Sequence, residues 1–152
     1  MSELTNLYQE VILDHNKRPR NFHPIADADH HANGYNPLCG DKVTIYLTLV
    51  DDRITDISFQ GSGCAISTAS ASILTETLKG KTRKEAEALF EAFHGLVTGH
   101  PVKSAGAPAL GKLAVFSGVC EFPVRVKCAS LAWHTLRTAL EKSPTVASTE
   151  ET

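Results

Sequence analysis

From Lys42 onward the chain alternates. Val43, Ile45, Leu47 and Leu49 hold one parity, Thr44, Tyr46, Thr48 and Val50 the other, and Ile54, Ile57 and Phe59 follow the pair Asp51-Asp52. Period-two patterning sends successive side chains to opposite faces of a strand, so one face is buried and the other faces water. Asp51-Asp52 reads as a turn, and the segment is predicted to be an antiparallel hairpin resting on a layer of helices. With the turn at those two residues, residue 42 is expected opposite residue 60, which puts Cys39 and Cys64 at one end of the ladder. At most one short edge strand precedes it, around His30 to Tyr35, within a region to about Asn36 that otherwise reads as loop.

The flanking segments change to helical spacing. Leu4, Leu7, Tyr8, Val11 and Ile12 mark an amphipathic first helix ending before Lys17-Arg18-Pro19-Arg20. After Gly61-Ser62-Gly63-Cys64, the run Ala65-Ile66-Ser67-Thr68-Ala69-Ser70-Ala71-Ser72 predicts a helix packed closely through small residues and closed at Gly80. Thr82 and Glu85 form a capping box ahead of the stripe Ala86, Leu89, Phe90, Phe93, Leu96 and Val97, which ends at Gly99. Pro108 is expected to start a short helix through Phe116. Pro123 opens the last one, with Val126, Ala129, Ala132, Trp133, Leu136 and Leu140. The expectation is an α+β fold: a small antiparallel sheet of two to three strands against about five helices. A single domain is expected over residues 1–142, with 143–152 a flexible tail.

At 152 residues with 42% apolar content, one core is affordable without metal or disulfide staples. The formal charge is -2 and no long basic run tracks a phosphate backbone, which disfavours a nucleic-acid partner. No apolar leader and no run of eighteen apolar residues occurs, so the expected location is cytoplasmic, with no membrane partner.

In a reducing compartment the four cysteines, Cys39, Cys64, Cys120 and Cys128, read as thiols or metal ligands rather than disulfides. No CxxC pair is present, which excludes a zinc-finger or thioredoxin pattern. Asp41 adds a hard oxygen two residues from Cys39, and Gly40 between them lets both aim at one point. Cys64 stands at a helix start, where the positive end of the helix favours thiolate. Cys120 and Cys128 compete for a third thiolate, and the adjacent Lys127 and nearby Arg125 favour Cys128. Three thiolates and a carboxylate suit zinc, leaving a charge excess that Lys42 or Lys127 offsets; the same ligands hold iron and sulfide. The histidines fall at neither HExxH nor HxH spacing, and no GxSxG, P-loop or dinucleotide fingerprint is present.

Cys39-Gly40-Asp41, Gly61-Ser62-Gly63-Cys64-Ala65-Ile66-Ser67, Gly80-Lys81-Thr82 and the run from Phe122 to Trp133 together resemble the U-type iron-sulfur cluster assembly family, across nearly all of residues 3–142. The resemblance implies the fold of SufE- and IscU-like proteins, with Cys39, Cys64 and Cys128 as the family's thiols, Asp41 as its aspartate and Cys120 as an extra. Lys127 stands where scaffold members carry histidine, and residues 94–118 look like an extra piece; both features resemble the SUF-type branch. That branch implies zinc on Cys39, Asp41, Cys64 and Cys128, and sulfur accepted from a SUF-type cysteine desulfurase for a downstream scaffold or apo-protein. The protein is then a partner and activator of the desulfurase rather than a stand-alone enzyme. Cys39 becomes the persulfide acceptor, while Cys64 and Cys128 anchor the metal. The rival readings are a scaffold assembling a [2Fe-2S] or [4Fe-4S] cluster on the same thiols, a structural zinc protein, and a zinc hydrolase. Four protein ligands leave the last no open position for water.

Overall fold

A computed structural model describes residues 3–26, 28, 30–37, 40–99, 113–116, 119, 122–141 and 147–148. The elements run α1 (Glu3–Lys17), β1 (His30–Asn36), β2 (Asp41–Val50), β3 (Arg53–Ser62), α2 (Ala65–Leu78), α3 (Arg83–Thr98), α4 (Pro123–Leu140) and β4 (Ala147–Ser148). The sheet order is β3-β2-β1-β4, the first three antiparallel and β4 parallel to β1 at Gly34 and Tyr35. Residues 147–148, within the stretch expected to be a free tail, are therefore tied to the sheet edge. The α+β expectation holds with four α-helices among the described residues. In place of the fifth, a single 3₁₀ turn at 113–116 carries Leu113, Val115 and Phe116 into the core, while 108–112 lie outside the described residues.

The hairpin forms as its alternation dictates, but its register differs from expectation. Asp51 and Asp52 both take positive φ, 51° and 63°, the backbone of a two-residue I′ turn whose twist matches the strands. Val50 pairs with Arg53, which moves the partner of residue 42 to residue 61. A bulge adds one more, since Leu49 faces Ile54 while Thr48 faces Asp56, leaving Thr55 extra. Lys42 therefore stands opposite Ser62, not residue 60.

The inward rows, Ala32 on β1, Val43, Ile45 and Leu47 on β2, and Ile54, Ile57 and Phe59 on β3, are buried beneath α2 and α4. Small residues permit the close approach: Ser67, Ala69, Ser70, Ala71 and Ser72 are all buried, and Ser70 Oγ donates to the Ala129 carbonyl at 2.6 Å across the α2–α4 contact. On β1 a Cβ at Gly34 would collide with Thr135 Oγ1, so the strand backbone lies directly on α4. The segment after α1 is tied down through Ser72, whose Oγ accepts from Arg20 N at 2.8 Å and lies 2.7 Å from His15 Nδ1. The capping box of α3 forms as read, Thr82 Oγ1 accepting from Glu85 N at 3.2 Å and Thr82 N donating to Glu85 Oε1 at 3.1 Å. Its left-handed terminus is Gly99, at φ 83°. Phe93 stacks on Trp133 with centroids 5.0 Å apart, joining α3 to α4.

One titratable group senses the α3–α4 contact. His134 sits edge-on to Phe90 at 5.6 Å and 6.1 Å from the His94 ring. Burial, reinforced by His94 and Arg137, lowers it from 6.5 to about 4. Between those values the unfolded chain binds a proton that the folded chain refuses, so stability falls as pH falls through this window. His134→Gln should flatten the pH dependence of the urea midpoint between pH 6.5 and 4 relative to the parent. Parallel profiles for the two proteins would contradict this origin of acid sensitivity.

Candidate metal centre

Asp41 opens β2 in phase with Val43, Ile45 and Leu47, and the alternation that buries those apolar side chains also buries its carboxylate, which is 0% exposed. Its Oδ1 accepts the Cys64 backbone N–H at 2.9 Å, and its Oδ2 accepts from Asn36 Nδ2 at 3.2 Å. No ion pair to Asp41 is found among the described residues. A buried carboxylate without a cation is costly, and the cost is offset when a positive charge comes to it.

Cys64 follows the register shift. With Lys42 opposite Ser62, the next residue, Gly63, arrives at Asp41, and a Cβ there would overlap the carboxylate. Glycine is the residue that fits. The chain then turns, with Cys64 at φ -73° and ψ 167°, to cap α2, its Sγ accepting from Ser67 N at 3.5 Å. The half-buried thiol thus sits at the positive end of the helix. Cys128 lies in the second turn of α4, fully buried, and its Sγ accepts from Asn36 Nδ2 at 3.6 Å.

Three elements thereby converge. One ligand atom from each of Asp41, Cys64 and Cys128, three of the four residues expected to hold a metal, lies within 4.8 Å of the others. Tetrahedral zinc with bonds of about 2.0 to 2.3 Å separates its ligand atoms by roughly 3.3 to 3.8 Å, so two sulfurs and an oxygen gathered within 4.8 Å are near enough for one thiophilic ion to draw all three in. Cys39 and Cys120 lie outside the described residues. Lys42 is exposed on the outward row of β2, opposite in phase to Asp41, and Lys127 is half-buried beside Cys128.

Asn36, which sequence reading left in a loop, is the residue it missed. It is the last residue of β1, pairs with Asp41 in the ladder and is 0% exposed. His30, Ala32, Gly34 and Asn36 form the inward row of β1, a parity that their mixed polar and small side chains do not mark in the sequence. Gly40, at φ 72°, returns its N–H to the Asn36 carbonyl at 2.8 Å, closing the connection that contains Cys39 in the sequence. Among the described residues no helix is long and apolar enough to cross a membrane.

Comparison with known proteins agrees with this geometry. Residues 7–129 match the NifU-like N-terminal domain. The chain is 39% identical over 143 residues to the iron-sulfur cluster assembly scaffold protein IscU of Streptococcus pyogenes serotype M1, covering 94% of this chain and 88% of that protein. It is 36% identical over 141 residues to the zinc-dependent sulfurtransferase SufU of Bacillus subtilis, covering 93% and 94%. Among solved structures, a putative assembly scaffold protein for the SUF system from Fervidobacterium islandicum superposes with a TM-score of 0.79 at 37% identity, over 86% of this chain and 94% of that one. With its fold and most of its length matched, the chain belongs to the NifU-like N-terminal domain family of iron-sulfur cluster assembly proteins.

Proposed function

We propose that the protein is a zinc-dependent sulfur carrier of iron-sulfur cluster assembly. It takes persulfide sulfur from a SUF-type cysteine desulfurase and passes it to a downstream scaffold or apo-protein. The observation that carries this reading is the buried Asp41 carboxylate, without an ion pair among the described residues, between two thiols within 4.8 Å. Lys127 before the third thiol and the similarity to the Bacillus subtilis sulfurtransferase add to it. The ligands are Cys39, Asp41, Cys64 and Cys128. Zinc, when bound, keeps the thiols deprotonated at neutral pH and shielded from oxidants.

The roles of the ligands are unequal. Cys64 Sγ accepts an N–H bond from Ser67, and Cys128 Sγ accepts one from Asn36. Donors at sulfur draw off charge and make a thiolate a poorer nucleophile, which suits both residues to anchoring. Cys39 is the acceptor. Its thiolate attacks the outer sulfur of the desulfurase persulfide, one S–S bond forms as another breaks, and the desulfurase thiolate leaves, so no external oxidant or reductant is needed. Asp41, a hard ligand among soft ones, keeps the site exchangeable, and Lys127, half-buried beside Cys128, offsets part of the negative charge; Lys42, expected to share that role, lies on the opposite, exposed face of β2.

The Streptococcus pyogenes relative, named as a scaffold, favours a second reading: a [2Fe-2S] or [4Fe-4S] cluster assembled on the same thiols. Anaerobically purified protein separates the two, since a cluster absorbs in the visible and zinc does not.

After brief incubation with desulfurase and cysteine, followed by alkylation, mass spectrometry should find the persulfide on Cys39. Cys39→Ser should keep part of its zinc yet fail to stimulate the desulfurase, whereas Cys64→Ser and Cys128→Ser should lose zinc. Persulfide chiefly on Cys128, with Cys39→Ser fully active, would overturn the assignment. Gly63→Ala tests the Asp41 ligand. The new methyl must displace the carboxylate, and chelator competition should show zinc held about 10–100-fold more weakly while the fold is retained. Unchanged affinity would remove Asp41 from the ligand set.

A further inference from the structure

Two of the buried ligand side chains share one donor. Asn36 Nδ2 lies 3.2 Å from Asp41 Oδ2 and 3.6 Å from Cys128 Sγ, and Asn36, Asp41 and Cys128 are each 0% exposed. The carboxamide orientation follows from its neighbours: an ionised carboxylate only accepts, so the amide nitrogen and not the oxygen must face it. An NH₂ group carries two hydrogens in a fixed fork, and here one serves the carboxylate and the other the sulfur. The backbone of Asn36 is fixed as well, by its ladder pairing with Asp41 and by the Gly40 N–H on its carbonyl.

We infer that Asn36 is a positioning residue that couples Asp41 to Cys128, holding the carboxylate by one oxygen and the thiolate by its sulfur so that strand β2 and helix α4 present their ligands in register. This rests on the sulfur-carrier reading in one respect, that these side chains bind zinc. Its physical content is twofold. Oδ1 is already held by the Cys64 N–H and Oδ2 by Asn36, so both carboxylate oxygens are oriented before an ion arrives and Asp41 is steered toward ligation through one oxygen. The bond at Cys128 Sγ lowers the charge density on that sulfur, which strengthens its role as the retained ligand. Groups that orient metal ligands from outside commonly contribute about 10–100-fold in affinity.

The test uses the full-length protein loaded with cadmium-113, a spin-active substitute for zinc. A side-chain amide proton of Asn36 should move downfield on loading and show scalar coupling to the metal, transmitted through the Cys128 sulfur. A role confined to packing produces no such coupling. In parallel, Asn36→Ala and Asn36→Leu, which lack the donor, should hold zinc about 10–100-fold more weakly in chelator competition. The thermal midpoint of each metal-free variant serves as the control for folding. Should neither variant fold, the amide signal of the unaltered protein decides alone. If the unaltered protein takes up metal but its Asn36 amide neither shifts nor couples, or if a folded variant keeps full affinity, this inference fails and the sulfur-carrier reading stands. If the unaltered protein takes up neither zinc nor cadmium, both fail.

Discussion

The site depends on one hydrogen bond, the Cys64 N–H to Asp41 Oδ1 at 2.9 Å, because it fastens the first residue of a strand to the start of a helix that follows two strands later. The bond exists only because the hairpin closes on Val50 and Arg53 and then gains a residue at the Thr55 bulge. Without the bulge Gly63 and Cys64 would each sit one position further along the ladder, and the side-chain row would switch faces. Gly63 completes the arrangement, since any Cβ there would occupy the place of the carboxylate. Turn chemistry at one end of the hairpin thereby sets ligand geometry at the other.

The third side of the site comes from helix packing. Cys128 reaches Asp41 and Cys64 because α4 lies close to both β1 and α2, and in each contact a small residue stands where a larger one would force separation: Gly34 against Thr135, and the serine- and alanine-rich face of α2 against Ala129. Charge then separates this cluster from ordinary core. Asp41 is buried, and its partners among the described residues are N–H donors with no cation, a state that an arriving cation relieves. This explains why the centre is read as a metal site and not as a buried polar network.

Much of this was legible in the sequence for identifiable reasons. Strand β2 alternates through Asp41, Val43, Ile45 and Leu47, Thr82 and Glu85 cap α3, and Pro123 starts α4, each a local rule followed by the structure. Asp41 and Cys64 were recognisable from their places at the start and finish of one hairpin, and Cys128 from Lys127 and Arg125 near it. The register was not: closure on Val50 and Arg53 accounts for one position of the difference, and the bulge for the other, its only local mark being the three-residue step from Ile54 to Ile57. Asn36 was hidden because its strand reads His-His-Ala-Asn-Gly-Tyr-Asn, too polar to betray an inward row that becomes visible only once α4 covers it. Likewise the pairing of Ala147–Ser148 with β1 depends on a distant strand edge and not on their own propensity.

Relatives of this chain carry two kinds of name, scaffold and sulfurtransferase, and for this chain the two readings differ in what its thiols would hold. X-ray absorption at the metal edge of protein purified without added metal addresses this most directly. The account predicts one zinc per chain with three sulfurs at about 2.3 Å and one oxygen at about 2.0 to 2.2 Å. A shell of nitrogen and oxygen only, or iron surrounded by bridging sulfide, would contradict it.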